Sequence, residues 1–220
     1  MGMDVYGLNP KRNTAKPDIL IEYMDDEGWT DWDKLGKNNT KDEDGNTVYS
    51  KEWDEYIAAK EAWDEDNPGR YFRNNVWWWR PLWNFVCNTC DDFLSEKDME
   101  GGSYNDGRKI SKTKAVKIGK RLSEKLADGT VDMVCRRYEL AKARADVHNK
   151  KVQKNLDKIT KECQDKHGKD LVPADYPEPF KTLWKETYDT KSWDSDYPFR
   201  KDNIEDFATF CLQSGGFEIC

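Results

Sequence analysis

The run Tyr71-Phe72-Arg73-Asn74-Asn75-Val76-Trp77-Trp78-Trp79-Arg80-Pro81-Leu82-Trp83 constrains the fold more than any other stretch of the chain. It sets four tryptophans, two arginines and two asparagines in 13 residues. Indole rings offer large apolar area, and an indole N–H or a guanidinium adds a directed polar handle. So much aromatic surface is either packed into a core or presented for recognition. Trp79, Leu82, Trp83, Val86, Cys90 and Phe93 fall at helical spacing, which predicts a helix through about Leu94 with that stripe inward. Pro81 suits a first helical turn. The regular helix is therefore expected to begin near Trp79, with Arg73 to Trp78 leading in.

The composition fits a folded chain with an aromatic core. Of 220 residues, 36% are hydrophobic and 36% charged, which is polar for a globular protein. Ten Trp, ten Tyr and eight Phe compensate, because each buries more area than an aliphatic side chain. That length supports one substantial core or two small ones. The opening residues lack the basic start and apolar run of a signal peptide. No stretch approaches the ~18 apolar residues of a membrane span, so no membrane partner and a cytoplasmic location are expected. The six cysteines include a single C-x-x-C, Cys87 and Cys90, with no second pair or histidine cluster to complete a zinc site. Structural free thiols are favoured over a redox or metal role, and no cofactor or metal is expected.

Charge is segregated along the chain. Residues 18–66 hold 17 acidic and five basic side chains, a net of −12. Residues 108–169 hold 19 basic and eight acidic ones, a net of +11. Such asymmetry points to docking of the two regions on each other, to two faces offered to different partners, or simply to two solvated faces.

The patterns predict an α+β, mainly α, fold with about five helices and a small sheet near the two termini. Short strands are expected at residues 1–7 and 215–220, able to pair and bring the chain ends together. Residues 11–68 are acidic and turn-rich, with one helix from about Lys51 to Glu65. Ser111 is a credible N-cap for a helix ending at Asp128-Gly129. Val131 to about His167 carries a narrow coiled-coil-like seam that includes Val152, Leu156, Ile159 and Cys163. This helix is expected to protrude or to break into a hairpin. Residues 171–199 read as a Pro/Tyr/Trp-rich connector. Asp202, with Glu205 three residues on, is expected to cap the last helix.

Three separated pieces resemble a family of uncharacterised proteins of phages, prophages and environmental bacteria. They are the opening Met1-Gly2-Met3-Asp4-Val5-Tyr6-Gly7, the Tyr71 to Trp83 run and the closing Ser214-Gly215-Gly216-Phe217-Glu218-Ile219-Cys220. The loop Tyr104-Asn105-Asp106-Gly107 and the helix after it fit the same pattern. The resemblance implies a family-like core of residues 1–10, 69–128 and 197–220. Residues 11–68 are then an acidic insertion, 129–170 a long basic helical segment and 171–196 a connector. Members of the family often carry paired C-x-x-C motifs before the last helix; here the basic helix occupies that region, so no zinc is carried over. A viral or mobile-element origin is implied, without an assigned activity.

The candidate ligand-binding residues are Tyr71, Arg73, Asn74, Asn75, Trp77, Trp78 and Arg80, with Tyr104, Asn105 and Asp106 as a neighbouring loop. Guanidinium, carboxamide and indole groups interleaved in this way suit a nucleotide-like ligand. Packing explains the aromatics equally well, and Arg73 and Arg80 could pair with Asp91 or Asp92. His148 and His167 lie far from any nucleophile motif, so no catalytic residue is assigned. The function expected is that of a phage accessory protein acting by binding in the host cytoplasm. Its partner is a host or defence protein, or a nucleotide-like ligand; nucleic acid is disfavoured by the acidic total. The alternatives are a carboxylate-based nucleotide-processing enzyme and a virion or assembly component forming homo-oligomers through the long helix.

Overall fold

Strand-like alternation at the two chain ends and around Tyr71 sets the architecture. The computed structural model describes residues 2–194 and 196–220; Met1, the first residue of the expected opening strand, lies outside them. In chain order it forms β1 (Gly2–Gly7), α1 (Asp18–Glu22), α2 (Trp32–Gly36), β2 (Thr40–Lys41), β3 (Thr47–Val48) and α3 (Lys51–Asp66). Next come β4 (Tyr71–Asn75), α4 (Val76–Thr89), α5 (Glu96–Gly101), β5 (Arg108–Ile110) and α6 (Lys112–Ala127). The chain ends with α7 (Thr130–His167), a 3₁₀ turn at Pro173–Asp175, α8 (Phe180–Asp189), α9 (Lys201–Gln213) and β6 (Phe217–Ile219). The class is mainly helical with a small antiparallel sheet.

Four strands make the main sheet in the order β4-β1-β6-β5, antiparallel throughout. Val5 sits opposite Phe72 on one side and Ile219 on the other. Met3, Val5, Ile110, Phe217 and Ile219 are buried, whereas Arg73 and Lys109 are exposed, the period-two pattern of a half-covered sheet. Trp79 and Trp83 stack with centroids 5.4 Å apart in the same core. Their indole N–H groups donate to the carbonyls of Gly102 and Met99, each at 2.8 Å. The polar handle of each buried ring is thus satisfied. Phe207 and Phe210 of α9 complete the core against Phe72 and Phe217.

Helices α6 and α9 approach closely because Gly119 offers no side chain. A Cβ there would stand 2.7 Å from Leu212 Cγ and 2.9 Å from the Ala208 carbonyl oxygen. A second tie involves Asp98, a buried carboxylate that completes the capping box of α5 with Ser95. It pairs with Arg108 of β5 and Lys114 of α6. Burial alone would raise its pKa, but hydrogen bonds from Lys114, Ser95 and Arg108 outweigh that and hold the carboxyl well below the usual range.

Several expectations are corrected. Nine helices, not about five, are present among the described residues. Three of the additional ones, α1, α2 and α5, are too brief to show a periodic stripe, and α1 and α2 are each anchored by one buried leucine, Leu20 and Leu35. The fourth, α8, is a ten-residue helix inside the stretch 171–199 expected to be a connector. The expected lead-in, Arg73 to Trp78, divides between a strand, Tyr71–Asn75, and the start of α4; in the strand Phe72 packs inward while Tyr71 and Arg73 turn to Asp4 on the other face. The Asn75 side chain accepts from Trp78 N at 3.0 Å and starts α4 at Val76, which places Pro81 in the second turn. Asp202 does not cap α9; Arg200 is the N-cap, and the Asp202 carboxylate accepts from Arg200 and from Asn203 N.

The long helix is continuous over 38 residues. No helix among the described residues is long and apolar enough to cross a membrane. The helix does not end in an open seam. Residues 171–184 return along it, and Tyr176, Phe180 and Trp184 pack with Ile159 and Cys163 in a separate cluster. The seam is therefore closed within the chain, with Val152 and Leu156 also buried. The acidic segment has its own small core of Leu20, Leu35 and Tyr56.

Gly119→Ala is expected to destabilise the protein by about 1–3 kcal/mol through overpacking, read as a lower urea midpoint with unchanged slope. Asp98→Asn leaves two cations facing a neutral amide and is expected to cost about 2–4 kcal/mol at neutral pH. The wild-type contribution is complete above the unfolded carboxyl's pKa of ~3.9 and is lost as pH falls toward the lower folded value. Acid-induced unfolding should therefore be flatter in the variant, and identical pH profiles would contradict this assignment.

Candidate functional site

The face of α4 opposite its buried stripe is polar at every fourth residue: Arg80, Asn84 and Asn88 are all exposed. These residues form one wall of a groove of about 780 Å³ between α4 and the first turns of α7. Its floor is aromatic. Tyr138 stacks on Phe199 with centroids 5.2 Å apart, and Phe85 meets Phe199 edge-on at 5.2 Å. Arg137 stands on the α7 wall, and Asp194 and Tyr197 close one end. Arg80 Nη1 donates to the Tyr197 hydroxyl at 2.9 Å. Trp77, 41% exposed, lies 4.9 Å from the Tyr197 ring and lengthens the aromatic wall outside the groove. Burial pushes the Tyr138 phenol up against the opposing pull of Arg137, so the hydroxyl stays protonated. The groove thus offers a ring-stacking floor, two carboxamides and two guanidiniums, one of them already oriented by a phenol.

The residues singled out from sequence are divided among three places. Arg80 joins the groove and Trp77 flanks it. Tyr71, Arg73, Asn74 and Trp78 line a smaller cleft of about 300 Å³ with Asp202, Asn203 and Asp206. There the Asn74 amide donates to Asn203 Oδ1 at 2.9 Å, and Arg200 covers the Trp78 ring at 5.2 Å. Burial, with Asp202 and Glu205 nearby, pushes the Asp206 carboxyl up. Two aspartates make this cleft a poorer host for an anion than the groove. Asn75 spends its side chain on the cap of α4. Tyr104 and Asp106 border a space of about 600 Å³ beside β5, with Lys97, Arg108 and Lys109, and Asn105 is exposed in the same loop. That is the opposite edge of the sheet from β4, about 14 Å away at ~4.8 Å per strand. The loop does not neighbour the tryptophan run.

The expected pairing of the arginines with Asp91 or Asp92 is not what the structure shows. Arg121 holds Asp92 at 3.0 Å, and Arg73 approaches Asp4 at 3.5 Å. On that outer sheet face the Tyr71 hydroxyl donates to Asp4, and the Tyr6 and Tyr71 rings lie 5.2 Å apart. Burial and the Asp4 carboxylate push the Tyr71 phenol far above its ordinary value. Lys109 faces Glu218 at 3.7 Å. Asp4, Tyr71, Arg73, Lys109 and Glu218 thus share one sheet face whose charges are largely paired with each other.

Sequence reasoning missed Asn84, Asn88, Arg137, Tyr138, Tyr197 and Phe199. The first two were accessible, since with Arg80 they continue a four-residue polar period along α4. Tyr197 and Phe199 belong to a segment without periodicity, and only the tertiary fold brings them to α7.

The histidines serve structural contacts: His148 Nε2 lies 2.7 Å from the Thr190 carbonyl oxygen, and the His167 ring meets Phe180 edge-on. All six cysteines are free thiols. No group of three or more His, Cys, Asp or Glu placed to hold a metal ion occurs among the described residues. Burial pushes Cys87 up to about 11, with Cys90 adding to the effect, and pushes Cys90 itself up to about 11. Compared with known proteins, the chain matches no family model, no curated protein and no solved structure.

Thiolate is the reactive form of cysteine. Cys87 and Cys90 are therefore expected to alkylate on the order of 10²-fold more slowly in the native protein than in denaturant at about pH 8. Mass spectrometry of iodoacetamide time courses reads this, and equal rates would contradict it.

Proposed function

We propose that the protein is an accessory protein that acts by binding, and that the α4–α7 groove takes a nucleotide-like anion. One observation carries the reading: the groove combines an aromatic floor with the guanidiniums of Arg80 and Arg137. A planar base would stack on Tyr138 and Phe199, as bases do on aromatic platforms. The carboxamides of Asn84 and Asn88 offer donors and acceptors for the base edge. Phosphate would take the two guanidiniums, whose fork geometry matches it. The resemblance to phage and prophage proteins supports a role in the host cytoplasm, where such anions are at hand.

Native mass spectrometry of protein purified from a bacterial host, followed by calorimetric titration with common ribonucleotides, tests the proposal. A bound mass of a few hundred daltons is expected, together with binding that weakens about 10- to 100-fold in Arg137→Ala, the loss of a charge-assisted contact. Asn84→Ala should change the preference among bases while leaving the fold intact. Absence of binding to every nucleotide, or unchanged affinity in Arg137→Ala, would overturn it.

A further inference from the structure

The acidic and basic regions do not neutralise each other within the chain. The acidic segment is tied to α9 where Lys11 N donates to the Gln213 carbonyl and the Asn13 side-chain amide donates to Gln213 Oε1. Its ion pairs are Lys51–Glu55 and the Lys60–Asp64–Arg70 group. Those of α7 are Lys142–Asp146, Lys158–Glu162 and Asp132–Lys201. Among the described residues no ion pair links residues 18–66 to residues 108–169.

Each region also leaves apolar anchors uncovered. On the acidic segment Tyr49 stacks on Trp53 at 4.8 Å and Trp53 meets Trp32 at 5.6 Å, a ridge in which Trp32 is 51% and Tyr49 52% exposed. Asp33, Glu52 and Asp54 are exposed next to it in sequence. On α7, Leu140 is 60% and Val147 58% exposed, one heptad apart. Arg136, Arg144 and Lys151 fall on the same side of the helix, about a third of a turn away from the seam that closes on α8. This second stripe is narrow, apolar at its centre and basic on its flanks.

We propose that the acidic aromatic ridge of one copy docks on the basic α7 stripe of a second copy. The surfaces are complementary in both terms that matter for association: opposite charge excesses of similar size, and exposed aromatic anchors facing exposed aliphatic ones. Both halves of the interface belong to every chain, yet they do not meet within one. Such a contact closes into a two-fold dimer when each ridge meets the other copy's stripe, and otherwise runs head to tail into a ring or a filament. It is distinct from the seam of Val152 and Leu156, which is already filled.

Sedimentation velocity of the full-length protein over a range of concentrations, at about 50 mM and about 500 mM salt, measures the association. Species larger than a monomer are expected at low salt, with apparent affinity falling at least ~10-fold at high salt because the interface is charged. Leu140→Glu/Val147→Glu breaks one half of the interface. Asp33→Lys/Asp54→Lys breaks the other at exposed positions and leaves the small core of Leu20, Leu35 and Tyr56 untouched. Each variant should be monomeric, with a wild-type circular dichroism spectrum. An equimolar mixture of the two should form a 1:1 dimer and stop there, because the only intact pair of faces is then used. Glu96→Ala, exposed on α5 and part of neither face, should associate as the wild type does. A monomeric wild type at low salt, association unchanged in either variant, or variants that fail to complement each other would each overturn the proposal. A monomer that captures duplex DNA through α7 would assign the stripe to nucleic acid instead.

Discussion

Strand β1 is hydrogen-bonded along both edges, and the remaining architecture depends on it. Asp4 and Cys220 exchange backbone hydrogen bonds of 2.8 and 2.7 Å, while Gly7 N donates to the Arg70 carbonyl at 2.9 Å on the other side. A first strand of six residues thus joins the closing strand to the strand that precedes the tryptophan helix. Without β6, the sheet separates into the β1–β4 pair and an isolated β5, and the buried faces of Val5, Phe217 and Ile219 lose each other. At the end of β1 the backbone itself is the contact. A Cβ on Gly7 would lie 2.1 Å from the Gly69 carbonyl oxygen, so no other residue fits without moving the β4 entrance. The glycine-bounded motifs at the two ends are therefore demands of one crossing point.

That arrangement explains how the chain tolerates a long acidic segment between β1 and β4. β1 and β4 are antiparallel neighbours, the relation usually made by a short hairpin. Replacing a tight turn with a long excursion costs little, because loop-closure entropy grows only with the logarithm of length. The excursion orders itself around Leu20, Leu35 and Tyr56 and returns through Asn67, whose side chain accepts from Asn13 N at 2.9 Å. At the opposite end the first turns of α7 belong to the main core through Val131, Val134, Cys135 and Tyr138, and the rest of α7 with α8 leaves it until Phe199. The acidic segment and the distal part of α7 thus project from a core that they do not fill. Their charges consequently need not be compatible with that core, which is how opposite excesses persist on one chain.

Elements with a repeating stripe were legible in the sequence, and those defined by a single contact were not. α3, α6, α7 and α9 each carry several turns of periodic burial, and their extents match the pattern to within a few residues. α1 and α2 depend on one leucine each, which no period can reveal. The strand Tyr71–Asn75 was hidden because its aromatic and polar residues merge with the helix that follows. Only pairing with β1 decides that Phe72 turns in and Arg73 out. The site shows the same division. Arg80 and Trp77 stood out by residue type; Asn84 and Asn88 were missed although their spacing from Arg80 carried a signal, whereas Tyr138, Tyr197 and Phe199 acquire meaning only when α7 and the final connector meet α4. Tyr104 to Asp106 seemed a neighbour because its motif accompanies the tryptophan run in sequence; strand order puts β1 and β6 between them.

The long helix carries two narrow stripes with different fates. A coiled-coil-like spacing of Val152, Leu156, Ile159 and Cys163 reads as an oligomerisation seam, yet Tyr176, Phe180 and Trp184 of the same chain occupy it. An apolar period therefore identifies a surface that needs a cover without identifying the cover. The second stripe differs because its centre is sparse and its flanks are basic, so hydrophobic area alone cannot hold a partner there; the charge must contribute. Its flanking charges, Arg136, Arg144 and Lys151, are not those of the groove, to which α7 contributes Arg137 and Tyr138. One helix thus serves two surfaces without sharing a charged side chain between them, so ligand binding and association can be altered separately.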